Sequence, residues 1–133
     1  MTKSFGLRSV LSVWLAVLLL LPSSIWGQDS NTREPGAESS EAVELAEELR
    51  SVELDKRRDA AYALAALGAD ALPALDALIE GLSDRDGQVW MQSLMAIARI
   101  GPDAEPAIDA LVNNLDQGED QQRYRAAWAL ARI

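Results

Sequence analysis

Apolar residues recur through the C-terminal two thirds of the chain at the three- and four-residue spacing of an amphipathic α-helix. The clearest series is Leu72, Leu75, Leu78, Ile79 and Leu82. Such spacing places side chains on one helical face, and no stretch shows the period of two expected of a half-buried strand. The sequence therefore predicts an all-α protein. Its predicted helices span residues 41–50, 56–67, 71–82, 87–100, 104–115 and 120–133.

Residues that favour helix ends delimit the middle helices. Asp70 is a predicted N-cap, and Pro73 then falls in the first turn, where a missing N–H has no helical partner to lose. Asp86 is a predicted N-cap for the following helix. That helix is expected to end at Gly101, because Pro102 prevents its continuation.

The helix pairs repeat at an offset of 33 residues without a gap. Gly68 corresponds to Gly101 and Pro73 to Pro106, and the tripeptides "DAL" and "ARI" also return at this offset. So many matches at one offset indicate repeated supersecondary units. A two-helix unit cannot cover its own apolar face, so neighbouring units are expected to stack.

The N-terminal 27 residues have the order of a secretory signal peptide. Lys3 and Arg8 precede the apolar run Val10–Leu21, and Gly27 offers a small residue for cleavage. The run is short for a membrane span, which needs about 20 residues. A secreted or periplasmic protein starting near Gln28 is predicted, and the alternative is an uncleaved N-terminal membrane anchor.

Residues 28–40 are polar and are predicted to form a flexible linker, because they cannot bury enough apolar surface to offset their ordering entropy. Ser39 or Ser40 is a predicted N-cap for the first helix. The repeat domain is then expected to occupy residues 41–133.

Composition excludes several functional classes. The chain has no Cys and no His, which removes disulfides, thiolate nucleophiles, Cys/His zinc sites and His-based catalysis. Its net charge is −9, which gives no basic footprint for nucleic acid. No cofactor is expected.

The segment "ALPALDALIEGLSDRDGQVWMQSLMAIARIG" resembles the short HEAT-like repeat that also occurs in phycobilisome lyase proteins. The matching features are the proline in the first helix, the Asp-rich turn, the Ala-rich second helix and the closing Ile-Gly. The resemblance covers residues 41–133, or nearly three units. It implies a right-handed α-solenoid that binds proteins through its second helices. Related hydroxylases bind iron through His-Glu pairs and related bilin lyases act in the cytoplasm, so neither activity carries over to a His-free, exported chain.

A helical projection locates a candidate binding ridge on the second helices. With Ile97 at the centre of the core face, Trp90, Ser93 and Leu94 point inward, and the opposite side is predicted to be exposed. The partner-binding candidates on that side are Arg58, Tyr62, Met91, Met95, Arg99, Tyr124, Trp128 and Arg132. Residues of these types are enriched in interfaces. The alternative is that the large side chains fold back over the Ala-rich helices, with the arginine stems lying along them.

Weaker candidates have structural explanations. Asp84, Asp86 and Gly87 resemble half of a calcium loop, but the later ligands are missing. The acidic first helix is expected to be a solvated face. Carboxylate pairs are plentiful, but no nucleophile accompanies them.

The sequence thus predicts an exported protein-interaction module that is not an enzyme and binds an unidentified protein partner. Leu130 and Ile133 lie where a following unit would pack, which predicts self-association at this end or a longer repeat array. The alternatives are an assembly protein that associates through this end, or the recognition part of a separately encoded enzyme.

Overall fold

The computed structural model describes residues 37–133, and these residues contain helices and turns but no strand. The predicted signal peptide and residues 28–36 of the predicted linker lie outside this range. The α-helices are α1 (Ala37–Leu49), α2 (Leu54–Leu67), α3 (Leu75–Gly81), α4 (Gly87–Ile100), α5 (Ile108–Gln117) and α6 (Asp120–Leu130). Two 3₁₀ segments, Gly68–Ala74 and Gly101–Ala107, precede α3 and α5.

Two of the predicted α-helices start in a different helix type. The predicted α-helices 71–82 and 104–115 begin instead as 3₁₀ segments that contain Pro73 and Pro106. A proline lacks the N–H that α-helical bonding needs, and short 3₁₀ turns accommodate this at helix ends. Asp70 lies inside the first 3₁₀ segment and is not the N-cap of α3, which is Ala74.

The first helix begins earlier than predicted. Because α1 starts at Ala37, Ser39 and Ser40 lie inside it and neither is its N-cap. The last four residues assigned to the linker are therefore helical.

The predicted N-cap at Asp86 and the predicted helix end at Gly101 are confirmed. The Asp86 carboxylate accepts hydrogen bonds from the backbone N–H groups of Gln88 and Val89, each at 3.1 Å. Gly68 and Gly101 end α2 and α4 with φ of 63° and 77°, a conformation that favours glycine.

The helices form two layers around one apolar core. The second helices α2, α4 and α6 lie side by side, and each packs against the first helix that precedes it in sequence. Leu64, Leu94 and Ile97 are fully buried, as the helical projection predicts for the last two. Small residues let the layers approach closely. The buried alanines of the second helices are Ala60, Ala61, Ala65, Ala96, Ala98, Ala126 and Ala129.

One helical run in the described residues, Leu54–Gly81, has the length and apolar composition of a membrane-crossing helix. This run is not one straight helix, because it is interrupted at Gly68 and contains Pro73. Leu64 before the interruption and Leu78 after it are both fully buried in the core. The apolar character of the run is thus explained by packing between the helices.

The apolar residues at the C-terminal end are less exposed than the prediction of self-association assumes. Leu130 and Ile133 are half-buried and pack against the core. Self-association at this end stays a prediction.

A close approach of α3 and α4 occurs at Gly81. A Cβ atom added there would lie 2.3 Å from Oγ of Ser93, which is well inside contact distance. The Ser93 hydroxyl is fully buried and has no hydrogen-bond partner among the described residues. A buried hydroxyl without a partner is destabilising.

We expect Gly81→Ala to lower the free energy of unfolding by about 1–3 kcal/mol, because the added methyl overpacks the α3–α4 contact. Ser93→Ala should leave this free energy unchanged or raise it, since it removes the unpartnered hydroxyl. Gly87→Ala is the matched control, because no atom of the described residues lies within 4 Å of a Cβ atom at that position. Urea denaturation followed by circular dichroism measures all three. A Gly81→Ala variant as stable as Gly87→Ala would contradict the close approach.

Candidate interaction surface

The residues of the predicted ridge lie on α2, α4, α6 and the turn after α6, but their exposure differs. Tyr62 and Tyr124 are 68% and 74% exposed, and Arg99 and Arg132 are also exposed. These four side chains are accessible to a partner.

The remaining apolar members of the ridge contribute to packing. Met91, Met95 and Trp128 are half-buried and contact the core. They show the folding-back that the alternative interpretation expects, while the two tyrosines do not. The surface therefore has a half-buried apolar base from which exposed tyrosines project.

Arg58 is engaged at the junction between the first and second units. Its Nε and Nη2 atoms donate to the two carboxylate oxygens of Asp86 at 3.2 and 2.7 Å. The same carboxylate caps α4, so the Asp86 side chain joins α2 to the start of α4. The Arg58 guanidinium and the Val89 N–H together lower the pKa of Asp86 to about 2.

Arg99 and Arg132 occupy equivalent positions but make different contacts. Arg99 donates from Nη1 to the backbone carbonyl of Ala65, near the C-terminal end of α2. The Arg132 guanidinium lies over the Trp128 ring, 4.1 Å from its centroid, in a cation–π contact. Neither guanidinium pairs with a carboxylate in the described part of the chain.

Two further ion pairs cross the first junction. Arg57 donates from Nε to Asp84 at 2.9 Å and from Nη1 to the carbonyls of Ser51 and Val52. Arg50 makes a two-point contact with Glu80, at 3.0 and 2.9 Å, and this pairing lowers the pKa of Glu80. The first two units are thus joined by three arginine–carboxylate pairs.

The second junction uses different chemistry. Trp90 stands at the position equivalent to Arg57, and its Nε1 atom donates to Oδ1 of Asn114 at 3.0 Å. Asn114 in turn donates from Nδ2 to the carbonyl of Ala110. Met91 replaces Arg58, and among the described residues no ion pair joins the second unit to the third.

A shallow groove of about 310 Å³ opens at the first junction. It is lined by Leu49, Arg50, Arg57, Ala77, Glu80, Gly81, Ser83 and Asp84. Its charged side chains pair with one another across the junction. The groove is therefore part of the contact between units.

The half calcium loop has a structural explanation in these contacts. The carboxylates of Asp84 and Asp86 accept bonds from Arg57, Arg58 and backbone N–H groups. Within residues 37–133, no group of three or more potential metal ligands was found.

Sequence reasoning missed most of the junction. Arg50, Arg57 and Asn114 were not singled out, and Trp90 was predicted only to face the core. The 33-residue offset could have indicated that the two junctions differ, since it aligns Arg57 with Trp90 and Gly81 with Asn114.

Comparison with known families supports the repeat. The PBS lyase HEAT-like repeat family matches residues 56–84, which run from α2 into the turn before α4. The resemblance drawn from the sequence is confirmed over this segment. Among curated proteins, no match to the chain was found.

The Arg58–Asp86 pair predicts an acid-dependent loss of stability. The pKa of Asp86 falls from its ordinary value of 3.8 to about 2 on folding, so the folded protein holds this proton less tightly than the unfolded chain. The pair then stabilises fully above about pH 4 and its contribution is lost as the pH falls towards 2. Asp86→Asn keeps an N-cap acceptor but removes the charge. We expect its melting temperature to fall less between pH 4 and 2 than that of the wild type.

Glu119, which is the residue of the third unit equivalent to Asp86, provides the control. Glu119 caps α6 in a capping box with Gln122 and has no arginine partner among the described residues. Glu119→Gln should therefore leave the acid loss of stability unchanged. An Asp86→Asn variant with the acid profile of the wild type would show that the pair does not stabilise the fold.

Proposed function

We propose that the chain is an exported, non-catalytic scaffold whose 33-residue units stack as a right-handed α-solenoid and bind a partner protein. The binding surface is the outer side of α2, α4 and α6. The observation that carries this proposal is the exposure of two large tyrosine side chains, Tyr62 on α2 and Tyr124 on α6. Helical repeat proteins use extended surfaces of this kind for binding.

The character of the surface supports a protein partner. Tyrosine supplies large contact area and a hydroxyl at low cost in side-chain entropy, and it is enriched in interfaces. Met95 on α4 and Trp128 on α6 are half-buried apolar side chains of the same surface, and packing against the core holds both in place. Arg99 and Arg132 add exposed donors at its edge.

The absence of catalysis is supported by the inventory of chemical groups. The sequence holds neither His nor Cys, and the charged residues of the groove pair with one another. The match to a PBS lyase HEAT-like repeat covers the repeat unit. That match supports a scaffold role.

Export rests on the N-terminal sequence pattern, with Lys3 and Arg8 before the run Val10–Leu21. We expect the mature protein to start near Gln28 outside the cytoplasm. N-terminal sequencing of the protein from its native host tests this. Intact Met1 on cytoplasmic protein would contradict export, and intact Met1 in the membrane fraction would favour the anchor.

The binding surface is tested with substitutions that spare the core. We expect a Tyr62→Ala, Tyr124→Ala variant to keep its helical circular dichroism, because substitutions at exposed sites usually change stability by less than about 0.5 kcal/mol. It should lose its partner in affinity capture from host extract. Met95 and Trp128 are left unchanged because both contact the core.

A matched control lies on the first helices. Val43 and Val112 are also exposed, on α1 and α5. A Val43→Ala, Val112→Ala variant should capture the partner as well as the wild type. Retention of the partner by the tyrosine variant, or equal loss by the valine variant, would place binding elsewhere.

A further inference from the structure

Charge is divided unequally between the two layers of helices. Residues 54–67, 87–100 and 120–133, which contain the second helices, carry seven basic and three acidic residues. The rest of the described chain carries two basic and sixteen acidic residues. A protein with net charge −9 thus presents its basic residues mainly on one layer.

Two of these basic groups are available on the binding surface. Lys56, Arg57, Arg58 and Arg123 are each paired with a carboxylate. Arg99 and Arg132 are exposed instead, and their contacts are a backbone carbonyl and an aromatic ring. A guanidinium without a carboxylate partner can bind one from another molecule.

We propose that the partner contributes an acidic, extended segment that lies across α4 and α6, with carboxylates bound by Arg99 and Arg132. This inference rests on the proposed function and names the chemistry of the partner. Complementary charge raises the rate of association and excludes basic competitors. The acidic first-helix layer disfavours the same segment by repulsion.

The spacing of the repeat favours a polyproline II conformation. Arg99 and Arg132 are equivalent residues of neighbouring helices, and packed helices lie about 8–10 Å apart. A polyproline II segment has three residues per turn and rises about 3.1 Å per residue, so every third side chain returns to one side after about 9 Å. Such segments also bind surfaces lined with aromatic residues, which Tyr62, Tyr124 and Trp128 supply here.

The test uses a fluorescent (Glu-Pro-Pro)₅ peptide and the protein purified from its host. We expect saturable binding by fluorescence anisotropy that weakens about tenfold or more between 0.02 and 0.5 M NaCl, because salt screens exposed charges. A (Lys-Pro-Pro)₅ peptide should bind at least about tenfold more weakly. No binding of the glutamate peptide, or equal binding of the lysine peptide, would overturn the proposal.

Variants locate the site. Arg99→Gln and Arg132→Gln should each weaken peptide binding about fivefold or more. Arg85→Gln is the control, because Arg85 is exposed in the turn between α3 and α4. Undiminished binding by both ridge variants would overturn the assignment of these arginines.

The outcomes separate this inference from the proposed function. Loss of the natural partner from the tyrosine variant, without binding of the glutamate peptide, would retain the proposed surface and overturn the acidic-segment inference. Binding of the peptide that depends on Arg99 and Arg132, with the natural partner retained by the tyrosine variant, would support this inference and contradict the proposed surface.

Discussion

The Asp86 carboxylate sets the arrangement of the first two units. It accepts two backbone N–H groups at the start of α4 and two guanidinium N–H groups from Arg58 on α2. The side chain that fixes where α4 begins therefore also fixes where α4 lies relative to α2. Because α2 and α4 are held in this way, their outer faces form one surface. Tyr62 and Met95 occupy equivalent repeat positions on it.

The two junctions of the stack differ in what holds them. The first combines apolar packing with three arginine–carboxylate pairs, whereas the second places Trp90 on Asn114. Ion pairs that stay in contact with water add little to stability, so the apolar core is the larger contribution at both junctions. What the ion pairs add is orientation, since a two-point Arg–carboxylate contact restricts rotation. Among the described residues no ion pair joins the second unit to the third, and Arg132 lies over the Trp128 ring.

Local signals were sufficient where structure depends on nearby residues. Capping by Asp86 and termination at Gly101 involve only residues within one turn, and both were predictable. The 3₁₀ segment before α3 was not, because Pro73 suits the first turn of an α-helix as well. Packing of Ala71 and Ala74 against the core accompanies the alternative geometry. Arg58 was placed on the ridge by its helical angle. Its pairing with Asp86 depends on how the units stack, and the angular position of a residue on one helix gives no information about that stacking.

The central claim is that the outer side of the second helices binds the partner. Site-specific photo-crosslinking in the native host tests it most directly, with a photoreactive amino acid placed in turn at Tyr62, Tyr124, Val43 and Val112. All four side chains are exposed, so each reports on what lies against its own layer. The account predicts a crosslinked protein from the two tyrosine positions alone. Crosslinks from the valine positions, with none from the tyrosines, would contradict it.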